Sequence, residues 1–184
     1  MTNPPDLFAR VAETAARHGL PVLVIGGHAV NAYGYVRTTL DADFLVCDED
    51  FAAWRRAFES LGYRWSGQTE AFAKLDAPET DPPSLPVDIM LVNRQTFTKL
   101  VAGQRRLAFG SSFFNVPQPL HLIALKLHAM RNTERMRRGK DLPDILQLIE
   151  ICHIDTTSAE FNAILQRYAN AETQRLLQAH LQNR

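Results

Sequence analysis

No apolar run in this sequence approaches the roughly 20 residues that a helix needs to cross a bilayer, so no membrane-spanning segment is expected. Cysteine is scarce. Cys47 and Cys152 are the only two, each inside an apolar segment, with no C-x-x-C pair and no Cys/His cluster of zinc spacing. That excludes a disulfide framework and a zinc ribbon, and both residues read as buried thiols of a reducing compartment. Charge of one sign is lacking too: 20 Lys and Arg balance 20 Asp and Glu. A surface that binds nucleic acid as a whole is therefore not expected, although a local basic patch still fits. Neither G-x-x-x-x-G-K-[ST] nor G-x-G-x-x-G occurs, which removes the P-loop and the dinucleotide fingerprint. The opening Met-Thr-Asn-Pro-Pro-Asp has no signal-peptide pattern, and the expectation is a cytoplasmic protein.

What is present is an ordinary globular composition, 46% hydrophobic over 184 residues. It is enough to bury a core in one domain, or in one domain with a helical annex. The informative stretch runs from Val22 to Val46. A short apolar run ends in Gly26-Gly27, a helix-compatible segment follows, then Arg37-Thr38-Thr39, then Asp41-Ala42-Asp43 inside a second apolar run. The pattern reads as strand, glycine turn, helix, loop and strand. Residues two apart in a strand share a face, so Asp41 and Asp43 point one way while Ala42, Phe44 and Val46 point the other. Strands disfavour Asp, and two like charges so close repel. A bound Mg²⁺ would remove that penalty; an edge strand with two solvated carboxylates is the alternative. Gly26 and Gly27 lie where a strand turns into a helix. There a missing Cβ lets a ligand approach the backbone, and the first N–H groups of the helix favour an anion. A tight turn alone accounts for one glycine better than for two.

An apolar strand, a Gly-Gly pair and an apolar-flanked D-x-D resemble the signature of the DNA polymerase beta-like nucleotidyltransferase superfamily. The matching residues are Gly26, Gly27, Asp41 and Asp43. That family uses a third carboxylate on a later strand, and Asp88 in the run Leu85 to Val92 supplies one. Arg37-x-Thr39 before the D-x-D, with a later lysine-bearing helix, is similar to the AbiEii-type toxin nucleotidyltransferases and their short bacterial relatives. The resemblance covers Leu20 to Ile149. It implies an α+β fold, with a small mixed, twisted sheet flanked by helices. Residues 1–116 would form the nucleotidyltransferase core and 117–184 a C-terminal helical segment packed on it.

The chain in order supports that division. Asp6 to His18 reads as an amphipathic helix and Gly27 to Tyr33 as the helix facing the proposed phosphates. His28, near its start, either touches a ligand or is a partly exposed helix side chain. Arg37 either holds a phosphate or pairs with Asp41 or Asp43. Asp48 to Leu61 reads as a helix whose stripe of Phe51, Trp54, Phe58 and Leu61 belongs to the core. Short strands are expected at residues 63–65 and 71–75, a loop over Asp76 to Pro86, and a helix over Asn93 to Val101. Arg105 to Phe109 and Phe113 to Val116 resemble a hairpin. Leu120 to Met130 is a strong helix containing Lys126, and residues 132–140 are polar, with Arg135, Arg137, Arg138 and Lys140 against Glu134. A lysine in an apolar helix usually snorkels; the resemblance instead places Lys126 at a triphosphate. The basic stretch is a solvated loop or a nucleic-acid backbone contact. Asp141 and Asp144 open a helix with Pro143, where capping alone explains both acids. By resemblance Lys140, Asp141 and Asp144 belong to the active cleft. Two closing helices carry apolar stripes that pack on the domain or on a second copy, which leaves a homodimer open.

The implied chemistry is Mg²⁺-dependent transfer of an NMP group from an NTP, ATP or another, to a hydroxyl. Asp41 and Asp43 would hold two ions, with Asp88 sharing one and accepting the proton. Gly26, Gly27, Arg37 and Lys126 would serve the triphosphate. Three readings of the biology follow: an enzyme acting on tRNA or protein, with an antitoxin partner; an enzyme acting on a small hydroxyl compound such as an antibiotic; or a non-catalytic nucleotide-binding or antitoxin-like module. Two departures from the family pattern, Ala42 between the acids and Gly27 in place of Ser, remove no metal ligand.

Overall fold

The computed structural model describes residues 7–80, 83–109, 112–131 and 139–182. The chain divides into two compact units. The first comprises Met1–Ala32 and Arg37–Pro117, the second Tyr33–Val36 and Gln118–Arg184.

The first unit is built on a five-stranded sheet of β1 (Leu23–Val24), β2 (Ala42–Cys47), β5 (Val87–Val92), β4 (Phe72–Asp76) and β3 (Arg64–Gln68), in that spatial order. β2 and β5 run parallel, and every other neighbouring pair is antiparallel, so the sheet is mixed. The mixed α+β fold is as the family resemblance implied. β2 is an interior strand, and its apolar residues suit that place, with Ala42 and Phe44 through Cys47 all buried. Phe44 turns to the face covered by α1 (Leu7–His18) and α3 (Phe51–Ser60). Its ring lies 5.8 Å from Phe8 and 5.8 Å from Phe58, which in turn meets Trp54 at 5.9 Å and Tyr63 at 5.6 Å. Each such ring, fully buried, contributes about 1.5–3 kcal/mol of transfer free energy. The expected aromatic stripe of α3 is thus core at Trp54 and Phe58, while Phe51 is half-buried and leans on Trp65.

α3 begins later than its composition suggests. Asp48–Asp50 form a 3-10 turn, and Arg94 bridges Glu49 at 2.7 Å and Asp50 at 3.4 Å from the start of α4 (Arg94–Ala102). Asn93 caps α4 by accepting from the Thr96 N–H. The hairpin of β6 (Arg105–Phe109) and β7 (Ser112–Val116) pairs as its sequence predicts, and Phe114 reaches Phe8 at 5.4 Å. Cys47 is buried and Cys152 half-buried, neither in a disulfide.

The second unit is helical: α5 (Pro119–Ala129), α6 (Asp141–Ile151), α7 (Ala159–Tyr168) and α8 (Ala171–Gln182). α5 packs against α6 and α7 through Leu122, Ile123, Leu127, Ile145, Leu148 and Phe161, all buried. α7 starts at Ala159 because Ser158 is its cap, accepting from the Phe161 N–H at 3.2 Å. Among the described residues no helix is long and apolar enough to cross a membrane.

Candidate active site

β2 and β5 bring the carboxylates together. Asp43 and Asp88 are register partners across the parallel pair and therefore leave the sheet on one face. Asp41 sits in the bend just before β2 rather than inside it. One carboxylate oxygen from each of Asp41, Asp43 and Asp88 lies within 4.8 Å of the others, and all three residues are half-buried. Phe44, Val46, Val87 and Ile89 on the opposite face are buried, which keeps the strands from turning over.

The glycine bend lies directly against this group. Gly26 opens α2 (Gly26–Ala32) at φ +63°, and a Cβ there would collide with the Asp43 carboxylate. A Cβ on Gly27 would meet Thr39 Oγ1 at 2.6 Å and Arg37 Nη1 at 3.2 Å. Both glycines are needed for close approach, and what approaches them is the chain's own Asp43 carboxylate and the Arg37–Thr39 loop. The loop from Arg37 to Thr39 is held from α2: Asn31 Nδ2 donates to the Arg37 carbonyl at 2.9 Å, and the Arg37 N–H donates to Asn31 Oδ1 at 3.1 Å. So fixed, the loop lets Thr39 Oγ1 donate to Asp41 Oδ1 at 3.0 Å, while Arg37 Nη1 donates to the Thr38 carbonyl at 3.2 Å. His28 turns toward α1, its ring 4.7 Å edge-on from Phe8. Burial pushes its imidazole pKa down, against the opposing pull of Asp41.

The family profile described as the nucleotidyl transferase AbiEii toxin, of a type IV toxin–antitoxin system, matches residues 13–184. The chain belongs to this AbiEii family. As a member it is a nucleotidyltransferase. No curated protein matches it by sequence. Among solved structures, that of the antibiotic-resistance factor ANT(2″)-Ia with adenylyl-2″-tobramycin is similar at a TM-score of 0.66 and 14% identity, covering 89% of this chain and 97% of that one. The lincomycin-bound lincosamide antibiotic adenylyltransferase LnuA gives a TM-score of 0.54 at 14% identity, over 77% and 93% of the two chains. An antigenic nucleotidyltransferase-like protein from Paracoccidioides brasiliensis gives 0.56 at 15%, over 85% and 83%. At these identities the likeness is one of fold.

In the helical unit of this AbiEii-family chain, the predicted site residues form a second cluster. Lys126 Nζ on α5 lies 3.1 Å from Asp141 Oδ1 and 2.6 Å from Asp144 Oδ2 on α6. The lysine side chain is only 5% exposed and that of Asp144 fully buried, so the ammonium does not snorkel to solvent. Asp141 and Asp144, which share the first turn of α6, are ligands of this cation as well as complements of the helix dipole. Lys140 is exposed at the cap. Arg135, Arg137 and Arg138 of the basic stretch lie outside the described residues.

Two site positions, Asn31 and Lys74, are unmarked by any sequence motif, whereas Thr39 belongs to the Arg37-x-Thr39 pattern. Asn31 and Thr39 hold the loop and the first carboxylate. Lys74 of β4 is the register partner of Asp88, its Nζ 3.6 Å from Asp88 Oδ2. The only sequence signal for Lys74 was the alternation Phe72, Lys74, Asp76 against Ala73 and Leu75, which sets its face but not its neighbour strand.

Proposed function

We propose that this nucleotidyltransferase is metal-dependent and moves an NMP group from an NTP to a hydroxyl acceptor, with Asp41, Asp43 and Asp88 as its catalytic carboxylates. The observation that carries the reading is the convergence of these three acids, Asp43 and Asp88 from two parallel strands and Asp41 from the bend before β2, against a glycine turn that lacks the Cβ atoms to push them apart. Three half-buried carboxylates so close repel one another, and an all-oxygen donor set of this kind fits Mg²⁺. Asp41 and Asp43 would hold the ions and Asp88 would share one. When bound, the metal neutralises phosphate charge and lowers the pKa of the acceptor hydroxyl.

The chain's residues divide the remaining work. The acceptor oxygen attacks the α-phosphorus, the bond from that phosphorus to the bridging oxygen breaks, and pyrophosphate leaves. Asp88 takes the hydroxyl proton. Arg37 sets its guanidinium beside Gly27 and serves the phosphates, with the backbone N–H groups of the Gly26-Gly27 bend. His28, its ring packed edge-on against Phe8 and its pKa lowered by burial, stands at the start of α2 within reach of a ligand on the bend. Lys126 enters the reading through the family. Its ammonium is already held by two carboxylates, so a triphosphate would have to draw it away from them. Lys140, Asp141 and Asp144 enter in the same way, as residues of the cleft.

Type IV toxin–antitoxin membership favours a macromolecular acceptor, tRNA or protein, with ATP or another NTP as donor and an antitoxin as partner in the cytoplasm. A small hydroxyl compound is the second reading. It is favoured by the fold shared along nearly the whole of ANT(2″)-Ia, whose structure contains an adenylylated antibiotic. α-Labelled NTPs with Mg²⁺ would be incubated separately with tRNA, with total protein and with aminoglycosides. Label should appear in one of the three and vanish in Asp43→Ala. Label in none of them would leave the non-catalytic module reading in its place, nucleotide-binding if an NTP still raises the melting temperature and antitoxin-like if none does.

A further inference from the structure

We propose that Lys74 is an internal counter-cation of the active site, pairing with Asp88 in the metal-free enzyme and weakening the ion that Asp88 shares. The inference rests on the reading that the three carboxylates bind divalent ions. β4 runs antiparallel to β5 with Lys74 opposite Asp88 and Leu75 opposite Val87. Ala73 and Leu75 are buried in the core, so the strand cannot rotate, and the Lys74 side chain must leave on the carboxylate face. Its Nζ is 3.6 Å from Asp88 Oδ2. Arg37, another basic side chain of the described site, lies beside Gly27, on the β1 side of the sheet from β2.

As a stabilising contact this pair is weak. Lys74 is 67% exposed and Asp88 34%, and such surface pairs contribute little because water and salt screen them. Its consequence is instead for the third charge. A carboxylate already facing an ammonium binds a divalent ion less tightly, and the ammonium and the metal repel each other. The pairing is also loose enough to give way, since the lysine is long, exposed and held by no second acid in the described structure. Metal loading at Asp88 then becomes an exchange of one cation for another.

The test is Mn²⁺ binding, followed by the loss of free-ion electron paramagnetic resonance signal on titrating the full chain without nucleotide. Lys74→Met should tighten the weaker class of sites by about three- to tenfold at low salt, and the gain should shrink as salt screens the lysine in the native chain. Lys74→Arg should bind as the native chain does. In an Asp88→Asn background the Lys74→Met change should have no effect, which separates a charge acting on Asp88 from a general change in surface potential. Equal Mn²⁺ affinity in the native chain and Lys74→Met, or the same gain with and without Asp88, overturns the proposal. A native chain that takes up no Mn²⁺ overturns the metal reading itself, and this inference with it.

Discussion

Gly26 and Gly27 look interchangeable in the sequence, yet the same substitution should act differently at the two. Gly26 has φ +63° and faces the Asp43 carboxylate, so Gly26→Ala adds left-handed strain of about 1–2 kcal/mol and displaces a proposed metal ligand. We expect nucleotide transfer to fall at least a hundredfold, with a modest drop in melting temperature. Gly27→Ala meets Thr39, a side chain that can rotate at the expense of its hydrogen bond to Asp41. Its loss should be nearer tenfold, and should match that of Thr39→Val, which removes the same donor at nearly constant volume for about 1 kcal/mol. Parallel kcat and KM measurements on the three variants check the order; equal damage from both glycines would refute this account of the bend.

At the scale of elements, the Arg37–Thr39 loop is held by the two reciprocal hydrogen bonds from Asn31. Asn31→Ala should speed amide exchange across residues 37–40 while leaving β2 protected, because β2 is locked between β1 and β5. Uniform exchange through β2 would show instead that the strand depends on the loop. The elements that position the site were legible in the chain for a simple reason. Short apolar runs of about six to eight residues rich in Val, Leu and Ile, each carrying one or two acids and bounded by turn residues, read as strands, and paired glycines at a strand end mark a bend. The long-range partners were not legible. Nothing local says that β4 lies beside β5, which is why Lys74 escaped notice. Nor does anything local say that Asn31 reaches six residues along to close a loop. The 3-10 turn before α3 is likewise not legible locally, nor is the Arg94 side chain that meets its acids from the start of α4. Helix α5 carries its own pH dependence. Burial lowers the His121 imidazole pKa below its ordinary value, against a weaker opposing pull from Glu160. The unfolded chain therefore binds more protons than the folded one just below about pH 6.5, and stability present above that pH is lost as the pH falls toward the depressed folded value. His121→Gln should reduce the loss of melting temperature on acidification from about pH 7.5 to about 5.5, a window set by the ordinary histidine value.

For the molecule as a whole, the question is what the Lys126 cluster is for, because a lysine variant that loses activity has two explanations. One positive and two negative side chains share a site with almost no solvent. Removing the cation alone leaves buried carboxylates short of a partner, so Lys126→Met should destabilise the chain by roughly 3–5 kcal/mol, read from urea unfolding. Replacing all three with uncharged residues, Lys126→Met with Asp141→Asn and Asp144→Leu, removes the desolvation cost with the attraction and should restore most of that stability. The triple variant then asks the functional question on a folded protein. If Lys126 serves only to join α5 to α6, the variant should still show the Mg²⁺-dependent thermal shift with NTP, because Asp41, Asp43 and Asp88 belong to the other unit. If the ammonium also leaves its carboxylates to meet a triphosphate, the shift should weaken at least tenfold in apparent affinity although the fold is intact. A stable triple variant with native nucleotide affinity would remove Lys126 from the nucleotide-binding set and leave Asp41, Asp43, Asp88, the glycine bend and Arg37 to carry it.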